Sequence, residues 1–159
     1  VKYLQRVVPG VELSTDLIVG FPTETEEDFE HTLRCLEEVR FGQVFPFKYS
    51  PRPGTPAAEL EDDVPREVKE ERLARVIALQ DQINAEKMQS YLGTVQEVLI
   101  DGVHQKLPGV MNGRTSGYRP LSVMIGSPQI GEVIQVRVTR QQGHWLYGEQ
   151  VEALAAAAS

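Results

Sequence analysis

Two hydrophobic patterns divide the chain, and the change between them falls at Leu92-Gly93-Thr94. Upstream, apolar residues recur at helical spacing between short apolar runs; downstream, apolar and polar residues alternate with a period of two. We therefore predict an α/β fold followed by an all-β fold. The expected domains are residues 1–91 and 92–151, and the alanine-rich segment 152–159 is expected to be a disordered tail.

A strand, a helix and a second strand are predicted between residues 11 and 49. Residues 11–19 end in an apolar run typical of a strand buried on both faces, and the aromatic and β-branched segment 41–49 suits another strand. Between them, Thr25 and Asp28 form a capping box ahead of an apolar stripe with helical spacing. The stripe consists of Phe29, Leu33, Leu36 and Val39. This order predicts parallel strands joined by a helical crossover.

A long helix is predicted from Pro65 to about Tyr91, with the proline at a first-turn position. Its stripe of mainly apolar residues consists of Leu73, Val76, Ile77, Gln80 and Ile83. The charged residues that lie off this stripe are Arg66, Lys69, Glu70, Glu71 and Arg75. The pattern predicts a surface helix that packs on one side and exposes these charges.

Five short strands are predicted in the rest of the chain, at 95–100, 109–114, 121–125, 132–139 and 145–149. Dipeptides such as Ser127-Pro128 and Gln142-Gly143 supply turns between them. Five strands in about sixty residues predict a small, closed or nearly closed, OB-like barrel. We expect Trp145 in its core, because tryptophan is mostly buried in folded proteins.

The charge is uneven between the two parts of this 159-residue chain. Residues 1–91 contain 11 Lys and Arg against 18 Asp and Glu, a net charge of −7, whereas residues 92–159 contain five of each kind. An acidic surface disfavours non-specific nucleic-acid binding, so the β-rich part is the better candidate to bind a polyanion. The acidic runs 24–30 and 59–63 are expected to solvate helix starts.

The composition excludes several classes of protein. No apolar run approaches the roughly 20 residues that span a bilayer, and the first residues show no hydrophobic signal region. A single cysteine, Cys35, excludes an internal disulfide and a four-cysteine metal site within this chain, and the three histidines lack metal-ligand spacing. These features fit a cytoplasmic protein that binds no membrane.

Residues 1–91 are too few for a complete α/β domain of the predicted kind. A sheet of two parallel strands has two raw edges and no core of its own, and a (β/α)₈ barrel needs roughly 250 residues. We therefore expect these residues to be the last part of a larger α/β domain. Further strands, or a partner chain, would bury the open edge.

Three segments resemble the radical S-adenosylmethionine methylthiotransferases. Residues 16–29, D-L-I-V-G-F-P-T-E-T-E-E-D-F, resemble the D-I-I-V-G-F-P-G-E-T-E-E-D-F segment of that family, and residues 49–58, Y-S-P-R-P-G-T-P-A-A, resemble its proline-rich loop. Residues 92–150, with Gly113-Arg114-Thr115, resemble the TRAM domain that ends these enzymes. The Arg-Pro-Gly-Thr-Pro form of the loop favours the tRNA-modifying branch, of MiaB type. Thr23 stands where the family usually has glycine, and the threonine would be tolerated there if its φ is negative.

The resemblance implies a partial radical S-adenosylmethionine (β/α) barrel followed by the TRAM barrel. It implies an enzyme that adds a methylthio group to C2 of an N6-modified adenosine beside the tRNA anticodon, using S-adenosylmethionine and two [4Fe–4S] clusters. The C-x-x-x-C-x-x-C cluster motif of the family is absent from this sequence. By this resemblance the chain is the C-terminal piece of such an enzyme, contributes neither a catalytic residue nor a metal ligand, and is inactive without the N-terminal part.

The resemblance and the predicted strand ends give the candidate binding residues. Those for the S-adenosylmethionine pocket are Val19 and Gly20 as backbone contacts, Phe21, and Asp16 as an anchor or a satisfied buried acid. Those for the substrate at the barrel mouth are Phe47, Lys48, Tyr49 and Arg52, and those for RNA on the β-rich part are Lys106, Arg114, Arg119 and Arg137. Cationic and aromatic groups suit phosphates and bases. Each group also has a purely structural alternative. These are a simple turn for the first group, a rigid proline-rich loop for the second and a solvated strand face for the third.

The sequence is compatible with three functions. The first is the tRNA methylthiotransferase, with the anticodon stem-loop as partner. The second is an RNA-binding module without catalysis, and the third is an enzyme of the same family that modifies an aspartate of a ribosomal protein.

Overall fold

The computed structural model describes residues 1–124 and 129–151, which form two compact units. Unit 1 comprises Val1–Asn84 and unit 2 begins at Ala85. The helices are α1 (Lys2–Val7), α2 (Glu26–Val39), a 3₁₀ helix (Pro56–Glu59) and α3 (Arg66–Ser90). The strands are β1 (Ser14–Val19), β2 (Gln43–Lys48), β3 (Val95–Val103), β4 (Val110–Thr115), β5 (Pro120–Met124), β6 (Val133–Gln142) and β7 (Trp145–Gln150). Within the described ranges no helix combines the length and apolar character needed to cross a bilayer.

Unit 1 contains a parallel pair of strands with helices packed on one face. β1 and β2 are in register from Ser14 opposite Gln43 to Val19 opposite Lys48. The predicted capping box starts α2: the Thr25 hydroxyl accepts from the Asp28 N–H at 3.1 Å, and Asp28 accepts from the Thr25 N–H at 3.0 Å. The core on this face comprises Val19, Phe29, Leu36, Val44 and Val76. The predicted parallel crossover is confirmed.

The second face of this sheet is open, which corrects the prediction that the strand in residues 11–19 is buried on both faces. Its exposed residues are Ser14, Asp16 and Ile18 on β1 and Gln43, Phe45 and Phe47 on β2. Ile18 and Phe47 are 51% and 54% exposed. The reason is that α2 and α3 both contribute to the core on the opposite face. Asp16 is therefore an exposed acid and not a buried one.

Helix α3 buries a stripe that coincides with the predicted one only in part, at Val76, Gln80 and Ile83. Its other buried positions are Lys69, Arg72 and Met88, again at helical spacing. Ile77, predicted inside, is 44% exposed, and Lys69, predicted outside, is 6% exposed. The two cations can be buried because carboxylates neutralise them: Lys69 pairs with Asp62, and Arg72 pairs with Glu24.

Unit 2 contains a closed five-stranded barrel in the order β3-β4-β5-β7-β6, which confirms the predicted barrel. All neighbours are antiparallel except β5 and β7. The strands pack too closely for a Cβ at Gly113 or Gly148, where it would strike the carbonyl groups of Leu99 and Arg137. Its buried core comprises Met88, Val98, Ile100, Leu121, Val123, Ile134, Val136, Val138 and Leu146.

Trp145 lies outside this core, against the prediction. Leu146 is fully buried, whereas Trp145 is 36% exposed. Alternation along β7 explains the difference, because Leu146 and Gly148 occupy the interior and the residues between them must point outward. The predicted strand end at Ile125, the turn Ser127-Pro128 and the tail 152–159 lie outside the described residues.

Candidate functional site

The ends of β1 and β2 bring together two of the segments predicted to bind ligand. The Tyr49 N–H donates to the Val19 carbonyl at 2.8 Å and so extends the strand pairing by one residue. The Phe21 and Tyr49 rings meet edge to face, with centroids 5.2 Å apart. The Tyr49 hydroxyl donates to the Ala57 carbonyl at 2.7 Å, which ties the strand end to the 3₁₀ helix. This edge is therefore an ordered, partly aromatic surface.

A cavity of about 420 Å³ opens at this edge of unit 1. It is lined by Ile18, Phe21, Phe47, Lys48, Tyr49, Ser50, Arg52, Thr55 and Ala57. Five predicted binding residues therefore share one cavity wall. Val19 and Gly20 are buried, and Asp16 lies on the open sheet face, two positions before Ile18. A cavity of this size suits a small-molecule ligand.

Gly20 lies against the buried side chain of Lys69, a contact that the sequence did not suggest. Its φ is +68°, and a Cβ at this position would collide with the side chain of Lys69. Its N–H donates to a carboxylate oxygen of Glu24 at 2.6 Å. The missing side chain thus makes room for a buried lysine of α3, and the N–H is already used within the protein.

A buried ion pair fixes the loop that follows β1. Arg72 donates to the Glu24 carboxylate at 2.7 Å and to the Glu24 carbonyl at 3.1 Å. The side chains of Arg72 and Glu24 are 5% and 11% exposed. Because Glu24 also accepts from Gly20, helix α3 holds the turn next to the cavity through this one carboxylate. Neither residue was predicted to have a role; the helical spacing of Lys69, Arg72 and Val76 was the available signal.

The acidic runs 24–30 and 59–63 were predicted to solvate helix starts, and Glu26, Glu27 and Asp28 do lie in the first turn of α2. The prediction missed that several of these carboxylates also bind cations or backbone N–H groups. Besides Glu24, Glu26 and Glu30 accept from Arg75. Hydrogen bonds from Arg75 and then from Arg72 lower the pKa of Glu26. In the second run, Asp63 accepts from the Thr23 N–H at 2.8 Å.

Thr23 has a φ of +73°, so the negative φ that would tolerate it is not found. A β-branched residue is strained in this left-handed region, where glycine is not.

Lys48 is engaged with helix α3. Its Nζ donates to Glu70 at 2.9 Å, and Glu70 also accepts from Arg66 at 2.9 Å. These hydrogen bonds, from Arg66 first and Lys48 second, lower the pKa of Glu70. Arg52, by contrast, is an exposed cation on the cavity wall. Of these two predicted phosphate ligands, Arg52 is the better placed to meet an anion.

The described residues include no group of three or more His, Cys, Asp or Glu side chains arranged to hold a metal ion. Cys35 is exposed on α2. An iron–sulfur cluster with thiolate ligands does not fit these residues.

The predicted RNA ligands are spread over unit 2. Arg114 on β4 donates to Asp101 at 3.1 Å, and its guanidinium lies 4.4 Å from the centroid of the Tyr118 ring. Arg137 on β6 donates to the Gly93 carbonyl at 3.3 Å. Arg119 follows β4, is half-buried, and its N–H donates to the Thr115 hydroxyl. Lys106 is exposed on the loop between β3 and β4.

Comparison with known proteins adds sequence evidence for both units. Residues 89–151 match the TRAM domain family. The chain is 46% identical over 152 residues to the tRNA-2-methylthio-N(6)-dimethylallyladenosine synthase of Anoxybacillus flavithermus. The aligned residues cover 96% of this chain and 29% of the relative. The synthases with this name from Aquifex aeolicus and Alkalilimnicola ehrlichii are also 46% identical, over 97% and 94% of this chain and 34% and 33% of the relatives.

The barrel of unit 2 is therefore a TRAM domain. Over 94–97% of its length the chain is similar to part of these synthases, which confirms the resemblance seen in its motifs. It spans about a third of the length of the relatives it matches.

Proposed function

We propose that this chain is the C-terminal portion of a tRNA methylthiotransferase that adds a methylthio group to C2 of an N6-modified adenosine next to the anticodon. The observation that carries the proposal is identity of 46% over 96% of the chain, which includes both units. Residues 1–91 would be the last strands and helices of a radical S-adenosylmethionine (β/α) barrel. The open face of β1 and β2 supports this, because the interior of a complete barrel would cover Ile18 and Phe47.

The cavity at the ends of β1 and β2 would hold the adenosyl group of S-adenosylmethionine. Ile18, Phe21 and Phe47 would contact it through apolar and aromatic surface, and Arg52 would pair with a phosphate of the RNA. One molecule of S-adenosylmethionine would supply the radical that removes hydrogen from adenine C2, and a second molecule would supply the methyl group. The sulfur would come from the second cluster. Because the described residues offer no cluster ligands, the two [4Fe–4S] clusters would be held by the preceding part of the enzyme.

Residues 92–151 would hold the tRNA, with Arg114 and Arg137 among the phosphate ligands. We expect this chain to bind a fluorescein-labelled anticodon stem-loop in an anisotropy titration, with an affinity that falls as salt rises. The Arg114→Gln, Arg137→Gln double variant should lower the slope of log affinity against log salt by about 1.4–1.8, the loss of two phosphate contacts. Arg34→Gln, on exposed α2 surface, should leave the slope unchanged.

Two outcomes would count against this proposal. Tighter binding of a ribosomal protein than of the stem-loop would favour modification of an aspartate in that protein. The coding sequence before Val1 should contain the C-x-x-x-C-x-x-C motif; another sequence there would favour an RNA-binding module without catalysis.

A further inference from the structure

Unit 2 has a cavity of about 360 Å³ on the outside of its barrel. It is lined by His104, Gln105, Lys106, Asn112, Trp145 and Tyr147. Trp145 and Tyr147 alternate along β7 with the interior residues Leu146 and Gly148, so both aromatic side chains face outward. Two aromatic residues in one concave surface form the kind of wall that takes a flat ligand.

The position of Trp145 is fixed by a hydrogen-bond chain beneath it. Its Nε1 donates to the Ser122 hydroxyl at 2.7 Å, and that hydroxyl donates to Oδ1 of Asn112 at 2.8 Å. Ser122 is 1% exposed although it lies on the outer side of β5. The indole therefore covers the buried Ser122 hydroxyl and keeps one orientation, which lowers the entropy lost when a ligand stacks on it.

The polar groups of the cavity suit a base with its phosphate. Nδ1 of His104 accepts from the N–H groups of Lys106 and Leu107, both at 3.2 Å, so the neutral ring carries its proton on Nε2 as a donor. The Arg140 guanidinium lies 4.2 Å from the centroid of the Tyr147 ring. None of the six residues lining the cavity is acidic, and Lys106 supplies a positive charge.

We propose that this cavity binds an unpaired nucleobase of single-stranded RNA. Trp145 and Tyr147 supply stacking surface, His104 and Asn112 reach the edge of the base, and Lys106 pairs with the adjacent phosphate. The inference rests on the proposed function, because it takes RNA to be the partner of unit 2. It deepens that function by naming an unstacked base, and not a duplex backbone, as the feature recognised.

The test compares two hexamers of equal charge with the 159-residue chain: oligoadenylate, and an abasic hexamer with the same phosphate backbone. Trp145 is the single tryptophan, so its fluorescence reports on the cavity directly. We expect oligoadenylate to quench this fluorescence and to bind about tenfold more tightly than the abasic hexamer in an anisotropy competition. The abasic hexamer should bind without quenching.

Two variants separate stacking from other effects. Tyr147→Leu should reduce oligoadenylate affinity to nearly that of the abasic hexamer and leave abasic binding unchanged. Tyr3→Leu is the matched control, because Tyr3 is 70% exposed in unit 1 and has the Arg6 guanidinium 5.4 Å from its ring centroid. It should change neither affinity.

The results distinguish this inference from the proposed function. The base site is overturned if the unaltered chain binds the two hexamers with equal affinity, or if it binds oligoadenylate without quenching. This holds even if the anticodon stem-loop binds. Quenching by oligoadenylate together with no binding of the stem-loop supports the base site and counts against the proposed function. The wild-type comparison decides the question even if Tyr147→Leu fails to fold.

Discussion

The two units of this chain are stabilised by different means. In unit 2 each strand has two neighbours, because the barrel is closed, and the interior is apolar. In unit 1 two strands form an open sheet, and part of its structure depends on the buried cations Lys69 and Arg72. The difference gives the acidic residues of unit 1 a structural role, because several of their carboxylates form ion pairs with arginine and lysine.

The comparison also explains what fixes the loop after β1, which lies next to the cavity at the ends of β1 and β2. A loop after a strand in an open sheet has few apolar contacts to fix it. In unit 1, Glu24 joins the Gly20 N–H to Arg72 and so connects this loop to α3. In unit 2 the Trp145 surface is instead fixed by neighbouring strands of a closed barrel, through Ser122 and Asn112.

The largest expected effect is that of Arg72→Met. It leaves the Glu24 carboxylate buried without its ion-pair partner, and we expect unit 1 to lose about 4 kcal/mol of stability. Hydrogen exchange of the β1 and α2 amides would measure this loss, while Trp145 fluorescence during urea unfolding reports on unit 2 and should not change.

The control for this variant is Arg75→Met. The Arg75 side chain is 35% exposed, so its ion pairs with Glu26 and Glu30 are screened by solvent, and the expected loss is about 1 kcal/mol or less. Equal losses for the two variants would contradict the special role of the buried pair.

A smaller effect, of opposite sign, is expected for Thr23→Gly. The φ of +73° is strained for threonine and accessible to glycine, so the change should stabilise unit 1 by about 1 kcal/mol. Thr32→Gly in helix α2 is the matched control and should destabilise by about 0.3 kcal/mol, because glycine is less favourable than threonine inside a helix. Exchange of the α2 amides gives both values, and a loss of stability in Thr23→Gly would contradict the strain argument.

The smallest expected effect is a difference in acid sensitivity between the units. In the folded state, hydrogen bonds lower the pKa of Glu26 and Glu70 from the ordinary value of 4.5 and that of Asp28 from 3.8. The unfolded chain therefore binds more protons in acid, so this stabilisation is complete above about pH 4.5 and is lost as the pH falls through the lower folded values. Protection factors, which compare each exchange rate with the intrinsic rate at the same pH, should fall more in unit 1 than in unit 2 between pH 6 and about 3.

The variant that sharpens this comparison is Glu26→Gln, Glu70→Gln. It removes two of the titrating groups, so the acid sensitivity of unit 1 should decrease. A profile identical to that of the unaltered chain would show that other groups are responsible.

Local patterns predicted much of this fold because their causes are local. The capping residues Thr25 and Asp28 lie three positions apart and fixed the start of α2. The period-two alternation after residue 92 predicted five strands, and the structure closes them into a barrel. The candidate site was also partly predictable, since the ends of parallel strands meet, and Phe21, Phe47, Lys48, Tyr49 and Arg52 share a cavity.

The errors arose where a residue's surroundings come from distant segments. A lysine on a helix is ordinarily solvated, and Lys69 is buried because Asp62 pairs with it. Arg72, for which no prediction was made, is buried because Glu24 reaches it from the loop after β1. Trp145 was misplaced because tryptophan is usually buried, while the phase of β7 in the barrel places Leu146 inside.

By itself the sequence determined the order of elements, the parallel crossover, the five-stranded barrel and the resemblance to the synthases. These follow from spacing, turns and motifs that act within a few residues. The tertiary structure alone decided which charges are buried, which sheet face stays open, and that the tryptophan lines an outer cavity. Those properties depend on which atoms from separate segments meet, because burial and ion pairing are settled by contacts in space.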